Sequence, residues 1–478
     1  MSQKNVSRRA FLRTGALGAG AAVLAACQPK VVEVEKVITR EVEKVVKETI
    51  IVEGTPQVVE KTVKEVVQEV VTATPGPKER VTIHATGYGE IDQWEFTRAL
   101  AAEKLPDIDF ILDENPWGNS GWDSYADNVV TRIAGGEKLD VVGIAIEGMP
   151  LLAHKKVIRE LDPFIAADAE ARADIEDDFH PTVLKVLQWE NKQMLMPQGW
   201  NNMMIWYNRA LFEEKGVPFP SADWTWEDFV ETSIALTDVQ GTPDDVYGYS
   251  FWFSGFGMAP WYFNNDTHAL TPDWKDSNML DPKVAETLQY LKDLIWKHKV
   301  APDPIGWDEG AQFHAGHQAM RGCGSWCRTA AKNAGFTDYG LQLFPHNAGP
   351  LRTVVGMGGF GVTTLSENPT EAWDVVKLLV SYEQQLDRAG GNEVPSRRSV
   401  AESSEFLDSL PNADGRVFYE SLDYAACVPS PPNFNIVDPL LMRYYTKIWN
   451  GEMEVAEAVT ACHEELQMEM DKLKDSYS

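Results

Sequence analysis

From residue 81 onward the chain alternates two kinds of segment, and this alternation restricts its fold more than any other feature. Residues 81–85 (Val-Thr-Ile-His-Ala) read as a strand, 95–105 as a helix and 108–112 as a second strand. Residues 124–134 read as a second helix, closed by Gly135-Gly136, and 139–146 as a third strand. β-Branched runs bounded by turn residues favour strands, and glycine just past a periodic run ends a helix. A β-α-β-α-β order calls for a mostly parallel, two-sided α/β sheet. In such sheets the loops leaving the C-terminal ends of the strands line the ligand crevice. Tyr88, Trp117 and Glu147 fall on three of those loops.

Charge divides the 478 residues into three parts. Residues 1–29 carry four bases and no acid, 30–80 are nearly balanced, and 81–478 hold 30 bases against 62 acids. All sixteen tryptophans follow residue 80. Such an acidic body lacks the basic footprint of a nucleic-acid binder and does not suit adsorption onto an anionic membrane.

The basic leader holds Ser7-Arg8-Arg9-Ala10-Phe11-Leu12-Arg13, a twin-arginine stretch, then a small-residue apolar run over 15–26. This is an export signal, too short for an ordinary membrane-spanning helix. Leu24-Ala25-Ala26-Cys27 resembles the lipobox of bacterial lipoproteins, which implies cleavage before Cys27 and its acylation. Residues 30–77 use little but Val, Glu, Lys and Thr. Val31, Val34, Ile38, Val42 and Val45 recur at helical spacing, yet Val and Thr favour strands. Two short helices, a coiled-coil stalk using Val59, Val63, Val66 and Val70, and a disordered tether all fit; a spacer is the expectation, with a boundary near residue 80.

Within the body a series of short motifs follows in order. Gly136-Glu137-Lys138-Leu139-Asp140-Val141 is similar to a G-x-x-P-D-V pattern, with Leu139 where proline is usual. Leu161-Asp162-Pro163-Phe164 is a turn, and Ile205-Trp206-Tyr207-Asn208-Arg209-Ala210-Leu211-Phe212 precedes Gly216-Val217-Pro218 and Trp226-Glu227-Asp228-Phe229. Phe313 to Met320, Gly358-Gly359 with Ala372-Trp373, and Val394-Pro395-Ser396-Arg397 complete the series. Together they resemble family 1 of the extracellular solute-binding proteins, the maltose-binding-type sugar receptors of ABC importers. That resemblance implies an α/β fold of two lobes with mixed or parallel sheets, hinged near residues 201–207, closing on a ligand. The expected parts are a signal peptide over 1–26, lipidated Cys27 with the spacer over 27–80, a first lobe from 81–202 plus 353–385, and a second from 203–352 plus 386–478. It further implies a carbohydrate ligand, an ABC permease as partner, attachment to the outer face of the cell membrane through Cys27, a monomeric body, and neither catalysis nor cofactor nor metal.

A neutral sugar offers apolar C–H faces and hydroxyls, which flat aromatic rings and fixed polar groups recognise. Trp117, Trp200, Trp252, Trp261 and Trp326 sit in Gly- or Asn-rich loops and are the expected ring platforms, with Asn201 beside the crossing. Trp189, Trp206, Trp226, Trp296, Trp373 and Trp449 sit among apolar residues and are expected in the core. Gly358 and Gly359 would admit close backbone approach, Glu147 would accept hydroxyls, and Arg397 would donate. An anionic ligand would need a bidentate arginine, for which Arg328 and Arg397 are the candidates. Two other classes stay open: a receptor for a polyamine, glycerophosphodiester or peptide, and an exported glycoside-active enzyme. No G-x-S-x-G, H-E-x-x-H or Walker motif is present. Beyond Cys27, the cysteines Cys323, Cys327, Cys427 and Cys462 allow a Cys323–Cys327 bridge, a bridge to Cys427, or free thiols.

Overall fold

The computed structural model of the chain describes residues 35–52, 55–72, 80–87, 94–114, 121–410 and 415–475. Tyr88, Trp117 and Cys27, the residue expected to be lipidated, lie outside the described residues. The chain divides into two compact units, Met1–Glu79 and Arg80–Ser478.

In the first unit, β1 (Glu35–Val52) and β2 (Thr55–Thr72) form an antiparallel ribbon running from the Glu35–Thr72 pair to the Val52–Thr55 pair. The helical and coiled-coil readings of the spacer therefore give way to strands. The reason lies in its β-branched residues, which lose side-chain freedom in a helix and fit a pleated surface. Cross-strand partners include Val37 with Val70, and the ion pair of Lys47 with Glu60 at 3.2 Å.

The second unit opens as its sequence pattern predicts. β3 (Val81–Gly87), α1 (Glu95–Lys104), β4 (Ile108–Glu114), α2 (Gly121–Ala134) and β5 (Val141–Ala145) follow one another, with β3 pairing parallel to both β4 and β5. β6 (Met196–Asn202) belongs to the same sheet, whereas β7 (Met204–Asn208) belongs to another, and Met203 alone separates them. The second sheet is completed by β8 (Tyr247–Ser250), followed by α3 (Gly255–Phe263), then β9 (Gln318–Cys323), α4 (Cys327–Asn333) and β10 (Tyr339–Gln342). Its strand order is β8-β9-β7-β10.

The chain then returns to the first sheet through β11 (Thr353–Val362), every residue of which is buried. β11 lies between β5 and β6, antiparallel to both. β12 (Val394–Pro395) pairs with β6, and β13 (Ala425–Cys427) pairs parallel with β11. These two strands correct the expected partition. Residues 386–478 were expected in the second lobe, yet they supply two strands of the first sheet before α5 (Phe434–Trp449) packs on α2 and α3. The sheets are accordingly mixed rather than mostly parallel, because the returning strands run against the initial ones.

Candidate functional site

The residues gathered between the two sheets come from four short stretches. After β8 the chain runs through Trp252 to Ser254, whose hydroxyl caps α3 by accepting from the Gly257 N–H at 3.0 Å. After β9 it runs through Gly324, Ser325 and Trp326 into α4, and a Cys323–Cys327 disulfide closes that turn, with the Cα atoms 6.4 Å apart. Cys427 and Cys462 are free thiols, so that of the alternatives left open by the sequence the Cys323–Cys327 bridge is the one formed.

These stretches bring three aromatic rings together. Trp252 meets Trp326 edge-on, with centroids 5.1 Å apart and planes at 72°, and Phe256 lies 5.9 Å from Trp326. Trp252 and Trp326 are both only partly buried. The Trp326 Nε1–H is buried without a hydrogen-bond partner. Phe256 reaches the first sheet: a Cβ on Gly356 of β11 would fall 2.5 Å from its ring, so glycine is required for that approach.

The first sheet contributes Glu147, just beyond β5, where Ile146 N–H donates to Met357 O at 3.0 Å. Glu147 Oε2 is buried and has no partner. Burial pushes its carboxyl up to about 7, and the neighbouring charge of Asp438 on α5 adds to the rise. Asp438 Oδ1 in turn lies against Gly255 at the start of α3. Burial also raises the Cys427 thiol, with the Glu147 charge contributing. The arrangement thus offers ring faces, one indole donor and two carboxyl groups. Among the described residues no group of three His, Cys, Asp or Glu side chains is placed to hold a metal.

Several expected site residues are engaged elsewhere. Trp200 is fully buried on β6, where its Nε1–H donates to Pro395 O at 3.2 Å. Trp261 is fully buried inside α3, packed edge-on against Phe229 and Phe344 at 5.3 and 5.1 Å. Both were read as loop residues and prove to be core. Arg397 is also committed: it binds Asp174 at 2.6 Å and Asp178 at 3.0 Å, donates to Val380 O, and lies over Phe179. Gly358 and Gly359 lie buried within β11, and a Cβ on Gly359 would sit 2.5 Å from Met196 O, so this glycine admits a neighbouring strand. Asn201 is half-buried on β6, with its amide oxygen against the Ser325 hydroxyl. Of the tryptophans expected in the core, Trp206, Trp226, Trp373 and Trp449 are buried, Trp189 is partly buried, and Trp296 is 53% exposed.

Phe256, Ser325 and Asp438 complete the region and were not selected from sequence as ligand contacts, while Arg328, a candidate clamp for an anion, is bonded instead to Ser325, Gly391, Glu393 and Ser409. Asp438 did leave a signal, as an acid directly before Pro439 in an otherwise apolar helical stretch.

The profile of the bacterial extracellular solute-binding proteins matches residues 115–413, well over half of the chain. The chain belongs to that family. The solute-binding protein is also 22% identical over 376 residues to a Brucella abortus protein described as a binding protein, covering 75% of this chain and 85% of the relative. Its fold is that of a Listeria monocytogenes ABC substrate-binding protein solved in complex with cycloalternan, with a TM-score of 0.71, 22% identity, and coverage of 82% and 99% of the two chains. A maltose-bound T. maritima protein shares the fold at a TM-score of 0.67, 19% identity, and coverage of 81% and 99%. These solved structures are two-lobe binding proteins, and the mixed sheets described above are those of the same architecture. Membership of an extracellular family places the solute-binding protein outside the cytoplasm.

Proposed function

We propose that this solute-binding protein captures a carbohydrate, a neutral oligosaccharide, between its two lobes and delivers it to an ABC permease. The observation that carries this reading is the ring cluster of Trp252, Phe256 and Trp326, beside the unpartnered Trp326 N–H. Ring faces cover the apolar face of a pyranose, and an indole N–H left unsatisfied in the free protein gains a hydroxyl acceptor. Glu147, protonated in part near neutral pH, both donates to and accepts from hydroxyls. Because the rings stand on the second sheet and Glu147 on the first, one ligand touching both favours the closed form and shifts the population toward it. In this reading the lobes are built on 81–202 with 353–385 and on 203–352 with most of 386–478, while acylated Cys27 holds the chain at the membrane. The sugars named for the Listeria and T. maritima proteins support the same ligand class. Arg328 and Arg397 are bound to protein partners, so an anionic ligand would lack its clamp.

A polyamine is the second reading, favoured by the carboxyl of Glu147 and the neighbouring charge of Asp438. Thermal unfolding of the full chain against neutral oligosaccharides, spermidine and glycerophosphodiesters separates them. A ligand at a hundred times its Kd adds about 2.7 kcal/mol. At ~2.1 cal/mol/K per residue over roughly 400 residues, the midpoint rises about 3 °C. A rise with a saccharide recovered intact is expected; a rise with spermidine alone would replace the sugar by a cation.

A further inference from the structure

Trp326 stands between two residues that reach out of the second sheet and grip the first. Ser325 Oγ donates to Asn392 O at 2.7 Å and also touches the amide oxygen of Asn201 on β6. Arg328 Nη2 donates to Gly391 O at 2.6 Å and to Glu393 O at 2.8 Å. Three consecutive main-chain carbonyls, 391 to 393, thereby accept from one turn. That segment runs directly into β12, which pairs with β6 at the edge of the first sheet. The remaining Arg328 donors are engaged as well, Nη1 with Ser409 Oγ at 2.7 Å and Nε with Ser325 O at 3.2 Å, and the guanidinium lies 4.9 Å from the Phe406 ring. Ser325 is fully buried and Arg328 is 4% exposed. Donors buried at such a junction are costly to leave unmet, and a rigid guanidinium fork fixes direction as well as distance.

We propose that Ser325 and Arg328 are positioning residues for Trp326. They hold the turn that carries its indole against the segment entering β12, so that the ring keeps a set orientation beside the crossing about which the lobes close. The disulfide closes the turn on its own sheet, and these hydrogen bonds fasten it to the opposite one. The functional weight of the inference rests on Trp326 being a ligand platform, but the positioning itself is measurable without ligand.

The full chain labelled with 5-fluorotryptophan gives a fluorine line for each indole, and Trp326→Phe identifies that of Trp326. Ser325→Ala and Arg328→Lys are each expected to move or broaden the Trp326 line while most others hold still. Ser325→Thr, which keeps the hydroxyl, is expected to return it. Thermal unfolding of each variant separates this from lost folding, and Ser325→Ala serves if Arg328→Lys does not fold. An unmoved Trp326 line, or all lines shifting together, would overturn the proposal. With maltotriose as probe, Ser325→Ala is expected to weaken binding about tenfold, the worth of one hydrogen bond, and to add nothing in a Trp326→Ala background. Losses that simply add would count against positioning through Trp326. Failure of maltotriose to bind the wild-type chain would count against the sugar reading, while the fluorine lines still decide the positioning.

Discussion

Glu147 carries the most displaced carboxyl described at the site, and its displacement has a sign that can be tested. Its pKa rises from 4.5 to about 7, first because it is buried and then because Asp438 is near. Between those values the folded chain holds a proton that the unfolded chain has released. Stability must therefore fall as pH rises through that window, because the charge then has to be carried in a buried place. Glu147→Gln should flatten this fall by on the order of 2 kcal/mol, read as the difference in thermal midpoints between pH 5 and pH 8 for the two proteins. Equal slopes would mean that the carboxyl is solvated. Gly199, Asn201 and Asn202 look like a loop around Trp200, yet they form a strand in which Asn202 Nδ2 finds Ser421 Oγ at 2.8 Å. Arg397 looked available because its partners Asp174 and Asp178 stand more than 200 residues away in the chain, beyond any local pattern. Trp252 and Trp326 were legible as ring positions because glycine and serine beside them mark turns at strand ends; nothing local marks Phe256 as their neighbour.

Individual elements divide by how strongly their local signals agree. The opening β-α-β-α-β run was legible because strand propensity, helical periodicity and glycine stops all coincide there. The ribbon was not, because valines at helical spacing and strand-favouring side chains give opposite answers, and only long-range pairing decides between them. The turn between β9 and α4 lies between these cases: two cysteines four apart are too distant for a bridge on a regular helix, but β9 ends at Cys323 and α4 begins at Cys327, so the bridge spans a turn. A loop this short carries about 2 kcal/mol of chain-entropy stabilisation. Replacing both cysteines by alanine should lower stability in denaturant by about that amount while leaving the m-value unchanged. A changed m-value would instead indicate that the bridge alters how compactly the second sheet packs.

For the molecule as a whole, the narrowest link between the sheets is Met203, the single residue between β6 and β7, with Thr353 Oγ1 donating to its carbonyl at 2.8 Å. Hinges are a few positions at element ends that absorb the backbone change, and this crossing has that form. A bound saccharide should lower the radius of gyration of the body in small-angle scattering, and a Trp326→Ala chain should show no such contraction at the same concentration. The ribbon of the first unit bears on a different property, reach. Strands pair Glu35 with Thr72, so the chain leaves the hairpin within roughly 5 Å of where it entered. Drawn out at ~3.3 Å per residue, the same stretch would span about 125 Å. Folded as it is, it adds almost nothing to a leash. A tether that contains this ribbon is shorter, by nearly that whole span, than its residue count implies.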